Sequence, residues 1–127
     1  MNRELDPPLI LYIEDNRDNR ILVKRVLEAE GYRVLEAEDA PNGIELACQI
    51  RPALILLDIN LPGIDGYQAT ARLKAIEELR QVPIVAVTAN VMKGDREKTL
   101  AAGCSGYIQK PIDVDRLPLQ LAAFLQR

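Results

Sequence analysis

Four short apolar runs each end in a residue able to do chemistry. Glu14 and Asp15 follow "LILYI", Asp58 follows "LILL", Thr88 follows "IVAV", and Lys110 follows "GYIQ". A carboxylate delivered by an apolar strand is costly unless it is paired, bound to metal or reached by solvent. Three carboxylates brought together repel, and one of them would hold a proton near neutral pH. A divalent cation removes that conflict. Hard oxygen ligands favour Mg²⁺, which keeps several waters and binds through one or two carboxylates plus a phosphoryl group, with Mn²⁺ as the alternative ion. Asp58 beside such an ion is a candidate nucleophile, because aspartate forms acyl phosphates. Phosphoryl transfer needs mainly positioning and charge neutralisation, a role for Lys110 together with the metal. Thr88 could hydrogen-bond a phosphoryl oxygen.

For these residues to meet, the chain must be folded into elements that end at one place. Five β-rich runs stand at Leu9–Ile13, Arg33–Ala37, Leu54–Leu57, Ile84–Val87 and Gly106–Gln109. Helical spacing separates them. In "NRDNRILVKRVLEAEG" the residues Leu22, Val23, Val26 and Leu27 form one stripe, while Arg20, Lys24, Arg25 and Glu28 face away. A second helix follows Asp39, carries Pro41 in its first turn and ends before Pro52. A third starts near Gly66 and runs through "YQATARLKAIEEL", with Ala69, Leu73 and Ile76 inward. A fourth covers "DREKTLAA" and stops at Gly103, Gly94 loosening its start. A fifth covers "DVDRLPLQLAAFLQ", capped by Asp113 and bent or delayed by Pro118. "PGIDG" at Pro62–Gly66 is a turn. Alternating units of this length imply a parallel sheet with helices on both faces. In such sheets the chemistry lies beyond the carboxyl ends of the strands. The second strand's end lacks an obvious functional group, as suits an edge.

Bulk properties narrow the function. The 127 residues suit one domain, spanning 1–127 with its core at about 8–126. At 48% hydrophobic and 28% charged, the composition is that of a globular protein. A net charge of −3 argues against binding nucleic acid directly. No apolar run approaches the roughly 20 residues of a membrane helix. "MNRELDPP" has no apolar leader core, so a cytoplasmic location is expected. The chain has no histidine, which excludes Ser-His and Cys-His catalysis and imidazole metal sites. Cys48 and Cys104 lack metal or redox spacing and are expected to be small buried hydrophobes.

The order "YIEDN … LILLDINLPGIDGY … IVAVTAN … GYIQKPID" resembles the receiver domain of two-component response regulators, from Ile10 to Leu125. The resemblance implies a flavodoxin-like, doubly wound five-stranded sheet of order 2-1-3-4-5. It implies that Asp58 is the phospho-acceptor and that Glu14 and Asp15 position Mg²⁺, with Asn60 offering a backbone carbonyl. Thr88 and Lys110 would contact the phosphoryl group, Tyr107 would change rotamer with Thr88, and Lys110–Pro111 would be a cis peptide. The implied partners are a histidine kinase or histidine phosphotransfer protein, which relatives dock near the first helix, and a downstream protein. That target would bind the face built by the fourth helix, fifth strand and fifth helix. Glu14 stands where aspartate is commoner, and its extra methylene is expected to place a water between carboxylate and metal. Ser105 replaces an acid that some DNA-binding relatives use in dimer salt bridges, so a monomer or weak dimer is expected.

The chain looks most like a stand-alone regulator or the receiver of a hybrid histidine kinase. Three other readings remain at this point. An aspartate-nucleophile phosphatase needs an acid two residues after the nucleophile, where this chain has Asn60. A pseudo-receiver interaction module would never take up phosphate. A flavin binder would need a Ser/Thr-rich phosphate loop after the first strand, which is absent.

Overall fold

The structure, a computed structural model, describes residues 7–61, 65–89 and 93–125. The elements alternate along the chain as β1 (Leu9–Ile13), α1 (Arg17–Ala29), β2 (Arg33–Ala37), α2 (Ala40–Ile50) and β3 (Leu54–Asp58). Then come α3 (Gly66–Ala75), a 3₁₀ turn (Glu77–Leu79), β4 (Ile84–Thr88), α4 (Lys93–Ala101), β5 (Gly106–Gln109) and α5 (Leu117–Leu125). All strand pairs are parallel, in the order β2-β1-β3-β4-β5. The chain leaves β1 toward one edge and returns to β3 on the other side, which opens a crevice at the carboxyl ends of those two strands.

The period-2 alternation of the strands divides the core in two. Leu11, Ile13, Ile55, Leu57 and Ala86 face α2 and α3 through Ala40, Ala47, Ala69 and Leu73. Ile10, Tyr12, Leu54, Leu56, Val85 and Val87 face α1 and α5 through Val23, Leu27, Leu117 and Leu121. Strands β3 and β4 are buried along their whole length, so both of their faces are covered. That is why "LILL" and "IVAV" read as unbroken apolar runs.

Side-chain caps fix the starts of three helices. Asn16 accepts from the Asn19 amide (2.9 Å), Asp39 from the Asn42 amide (2.9 Å) and Asp65 from the Tyr67 amide (2.8 Å). The third helix is shorter than its apolar spacing suggests. It stops at Ala75, Ile76 is extended, and the 3₁₀ turn follows. In an unbroken helix Leu79 would point about 240° round from Leu73; the break lets Leu79 enter the core instead. Lys74 fastens the turn by donating to the carbonyls of Val82 (2.7 Å) and Arg80 (3.2 Å).

Four other expectations need correction. Asp113 does not cap α5: its carboxylate accepts from the Asp115 amide (3.0 Å) in a preceding turn, and the helix begins at Leu117. Pro118 thereby sits in the first turn, where its missing N–H costs nothing. Leu22 is 45% exposed rather than inward, and Cys48 is exposed while Cys104 is buried. Nor does Arg20 simply face away: its side chain is only 12% exposed and donates to the Glu14 carbonyl. Of the Pro62–Gly66 turn, residues 62–64 lie outside the described residues, and α4 begins at Lys93, one residue ahead of Gly94.

Gly66 sets how closely α3 approaches the segment after β3. Its amide donates to the Ile59 carbonyl (3.3 Å), and a Cβ there would lie 2.6 Å from the Ile59 Cα and 2.7 Å from its oxygen. Both are backbone atoms that cannot swing aside. Gly66→Ala is expected to lower stability by about 1–3 kcal/mol through overpacking, despite alanine's better helix propensity. Urea unfolding checks this, and an unchanged midpoint would contradict the close approach.

Candidate functional site

Register brings the acids together. Ile13 pairs with Leu57, so the next residues on each strand, Glu14 and Asp58, stand side by side at the rim. Asp58 still belongs to the ladder, opposite Val87, and so its backbone is held on a rigid strand. One carboxylate oxygen from each of Glu14, Asp15 and Asp58 lies within 4.8 Å of the others. Glu14 (1% exposed) and Asp58 (2%) are buried, whereas Asp15 is open to solvent.

Each buried acid has its own partners. Lys110 donates from Nζ to Asp58 Oδ2 at 3.0 Å, and the Asn60 amide donates to Oδ1 at 2.9 Å. Glu14 accepts at Oε1 from the Tyr12 hydroxyl (3.1 Å) and Asn19 Nδ2 (3.4 Å), and at Oε2 from the Asn16 amide (3.1 Å). Arg20, only 12% exposed, donates to the Glu14 carbonyl (2.8 Å) and stands 3.6 Å from Glu38. Its long side chain reaches back from α1 to brace the β1 turn.

Thr88 and Lys110 reach the same rim from β4 and the end of β5. The Lys110 amide donates to the Thr88 carbonyl (2.8 Å), and the Lys110–Pro111 peptide is cis. Thr88 is buried. Tyr107 pairs with Ala86, two residues before Thr88, so Tyr107 and Thr88 share one face of the sheet. A groove of about 410 Å³ adjoins the site through Asn19 and Lys110, with Leu22 and Val23 of α1 and Ala89, Pro111 and Ile112 completing its lining. Leu22 is exposed because it forms one wall of that groove.

Electrostatically the cluster is unbalanced. Three carboxylates meet one paired ammonium among the described residues. Burial, and after it the hydrogen bond shared with Asp58, push the Glu14 carboxyl up to about 7, against a smaller pull downward from the Asn16 amide. Burial likewise raises the Tyr12 phenol, with the Glu14 charge adding to the effect. The donor set suits a hard divalent cation: the ligand atoms are all oxygen, and exposed Asp15 leaves room for several waters, as Mg²⁺ requires.

Sequence reading placed Glu14, Asp15, Asp58, Asn60, Thr88 and Lys110 at this rim, and the structure brings them there. It missed the residues that hold Glu14. Tyr12 was legible in principle, since positions i and i+2 of a strand share a face. Arg20 and Asn19 were not, because their partners depend on how α1 packs.

Fold and site together define a doubly wound parallel α/β domain with an acidic, lysine-bearing pocket at its topological switch point. A family model, "Response regulator receiver domain", matches residues 10–122, and the chain belongs to that family. Among its relatives is the polar-differentiation response regulator DivK of Brucella anthropi. That protein is 40% identical over 119 residues, covering 94% of this chain and 97% of its own. The receiver domain of the sensor histidine kinase PA1611 from Pseudomonas aeruginosa is 39% identical, with a TM-score of 0.86 and coverage of 94% and 98%. That structure has a magnesium ion coordinated in its active-site cleft. The Vibrio cholerae chemotaxis protein CheY4 shares the fold at a TM-score of 0.90 and 24% identity, over 94% of this chain and 99% of that one.

The raised Glu14 carboxyl makes stability depend on pH. Between the unfolded value of 4.5 and the folded value of about 7, the folded chain keeps a proton that the unfolded chain has lost. Stability therefore falls as pH rises through this window, and the loss is complete above about 7. In chelator, thermal unfolding should show a drop in Tm from pH 5 to pH 8 that is larger in wild type than in Glu14→Gln. Parallel profiles would contradict the assignment.

Proposed function

We propose that the chain is a phosphorylation-switched receiver whose acceptor is Asp58. The observation that carries this reading is a buried aspartate gripped by Lys110 within a cluster of three carboxylates. An oxygen of Asp58 attacks the phosphorus of a phosphohistidine on a histidine kinase or histidine phosphotransfer protein. The other ring nitrogen of the phosphohistidine carries a proton, so when the P–N bond breaks and its electron pair stays on the nitrogen that held phosphorus, the ring leaves as neutral imidazole. Lys110, already on the acceptor carboxylate, is placed to contact a phosphoryl oxygen as charge accumulates. Glu14, Asp15, Asp58 and the Asn60 carbonyl would hold Mg²⁺, which when bound would supply further neutralisation of the transferring group's charge. The fit of the oxygen donors supports this, as does the magnesium in the PA1611 receiver.

The partner approaches over the groove between α1 and the Lys110–Ile112 segment, where exposed Leu22 and Ile21 offer apolar contact. Phosphorylation then draws Thr88 toward the new negative charge, and Tyr107, on the same face of the sheet, follows into the vacated space. The face formed by α4, β5 and α5 changes shape and binds a downstream protein. In this way a local charge biases a two-state equilibrium. Among the described residues no helix is long and apolar enough to cross a membrane, which suits a signalling module of the cytoplasm.

Incubation with ³²P-labelled acetyl phosphate and Mg²⁺ should label wild type, leave Asp58→Asn unlabelled and slow labelling of Lys110→Ala by about tenfold or more. The last figure follows from removing a charge that contacts the transferring group. Equal labelling of wild type and Asp58→Asn would overturn the reading.

A further inference from the structure

The Mg²⁺ site proposed above contains a glutamate whose longer side chain must be held in place, and the structure shows what holds it. Glu14 directly follows β1, and its long side chain has three torsions to fix before its oxygens can serve a cation. The Tyr12 hydroxyl donates to Oε1 at 3.1 Å. Tyr12 lies on β1 two residues before Glu14, whose amide carries the ladder on by donating to the Ala37 carbonyl (3.0 Å), so the two side chains fall on one face. Its ring is fully buried and packs with Ile10, Val23, Leu27 and Leu56. A phenol with two torsions, locked in a core, is a fixed donor. The Asn16 amide holds Oε2 from the other side, while Asn19 adds a longer contact from the helix surface.

We propose that Tyr12 is a positioning residue that fixes the Glu14 carboxylate for the divalent cation, the two residues acting as a matched pair. This rests on the Mg²⁺ reading of the site. A carboxylate has about four lone-pair positions. Tyr12 and the longer Asn19 contact take the two on Oε1 and the Asn16 amide takes one on Oε2, which leaves one on Oε2 for the ion or its water. An aspartate at this position would be shorter by about 1.5 Å, the length of one carbon–carbon bond. It would withdraw from the phenol and strand a buried hydroxyl. Tyrosine here is thus useful with glutamate and useless with aspartate.

The test is a double-mutant cycle read by Mg²⁺ calorimetry on wild type, Tyr12→Phe, Glu14→Asp and the double variant, with no phosphoryl donor present. Phenylalanine keeps the ring packing and removes only the hydroxyl. Tyr12→Phe should weaken Mg²⁺ binding by roughly tenfold to a hundredfold, the range found for partners that orient a metal ligand. In the Glu14→Asp background the same change should leave affinity unaltered. Thermal unfolding in chelator gives a second reading: Tyr12→Phe should lower the Tm of wild type but not that of Glu14→Asp. Equal Mg²⁺ affinity of wild type and Tyr12→Phe, or an equal loss in both backgrounds, would overturn the pairing. Absence of Mg²⁺ binding by wild type would instead overturn the metal reading on which it rests.

Discussion

Two acids sit side by side because two parallel strands end side by side, and their mutual repulsion is the constraint around which the rim is arranged. The pairing of Ile13 with Leu57 leaves Glu14 and Asp58 no freedom to separate. Burial removes the water that would screen them. Each neighbouring group meets that repulsion in part. Lys110 and the Asn60 amide bind Asp58, Tyr12 and the Asn16 amide bind Glu14, and burial first of all pushes the Glu14 carboxyl up to about 7. The remaining imbalance makes the pocket receptive to a divalent cation.

Such an arrangement can persist only on a stiff support. Strands β3 and β4, covered on both faces, give Asp58 and Thr88 fixed backbones. Interiors packed this densely resist small displacements. The close approach of Gly66 to Ile59 holds the segment beyond Asp58 against the start of α3. Arg20 does the same for the turn beyond β1. Stiffness of this kind is what the proposed phosphoryl transfer to Asp58 would require. The receiver family supplies the biological setting, and the geometry explains why an aspartate belongs at the end of a core strand.

Much of this was legible in the residues. The five apolar runs marked the strands, and their polar terminators marked the rim, because in a parallel sheet all strand ends of one kind lie on one side. What escaped the sequence depended on packing between elements. The break at Ile76 arises because Leu79 must reach a core that an unbroken helix would turn it from. The late start of α5 reflects a turn that uses Asp113 locally before the chain reaches Pro118. Leu22 fits the apolar stripe of α1, yet it borders a groove rather than the sheet. Cys48 lies on the outer side of α2, a position that spacing alone did not separate from a buried one. Tyr12 read as another apolar strand residue, since its ring is in the core and only its hydroxyl reaches the site.

The central claim is that the clustered acids form a single cation pocket. Anomalous diffraction from a crystal soaked in Mn²⁺ tests it most directly, since the ion's position is located without reference to any assumed ligand. The account predicts one strong anomalous peak between Asp15 and Asp58, within coordination distance of both carboxylates and with Glu14 lying directly behind it. A peak elsewhere on the protein, or no peak at this rim while the three carboxylates remain clustered, would contradict it.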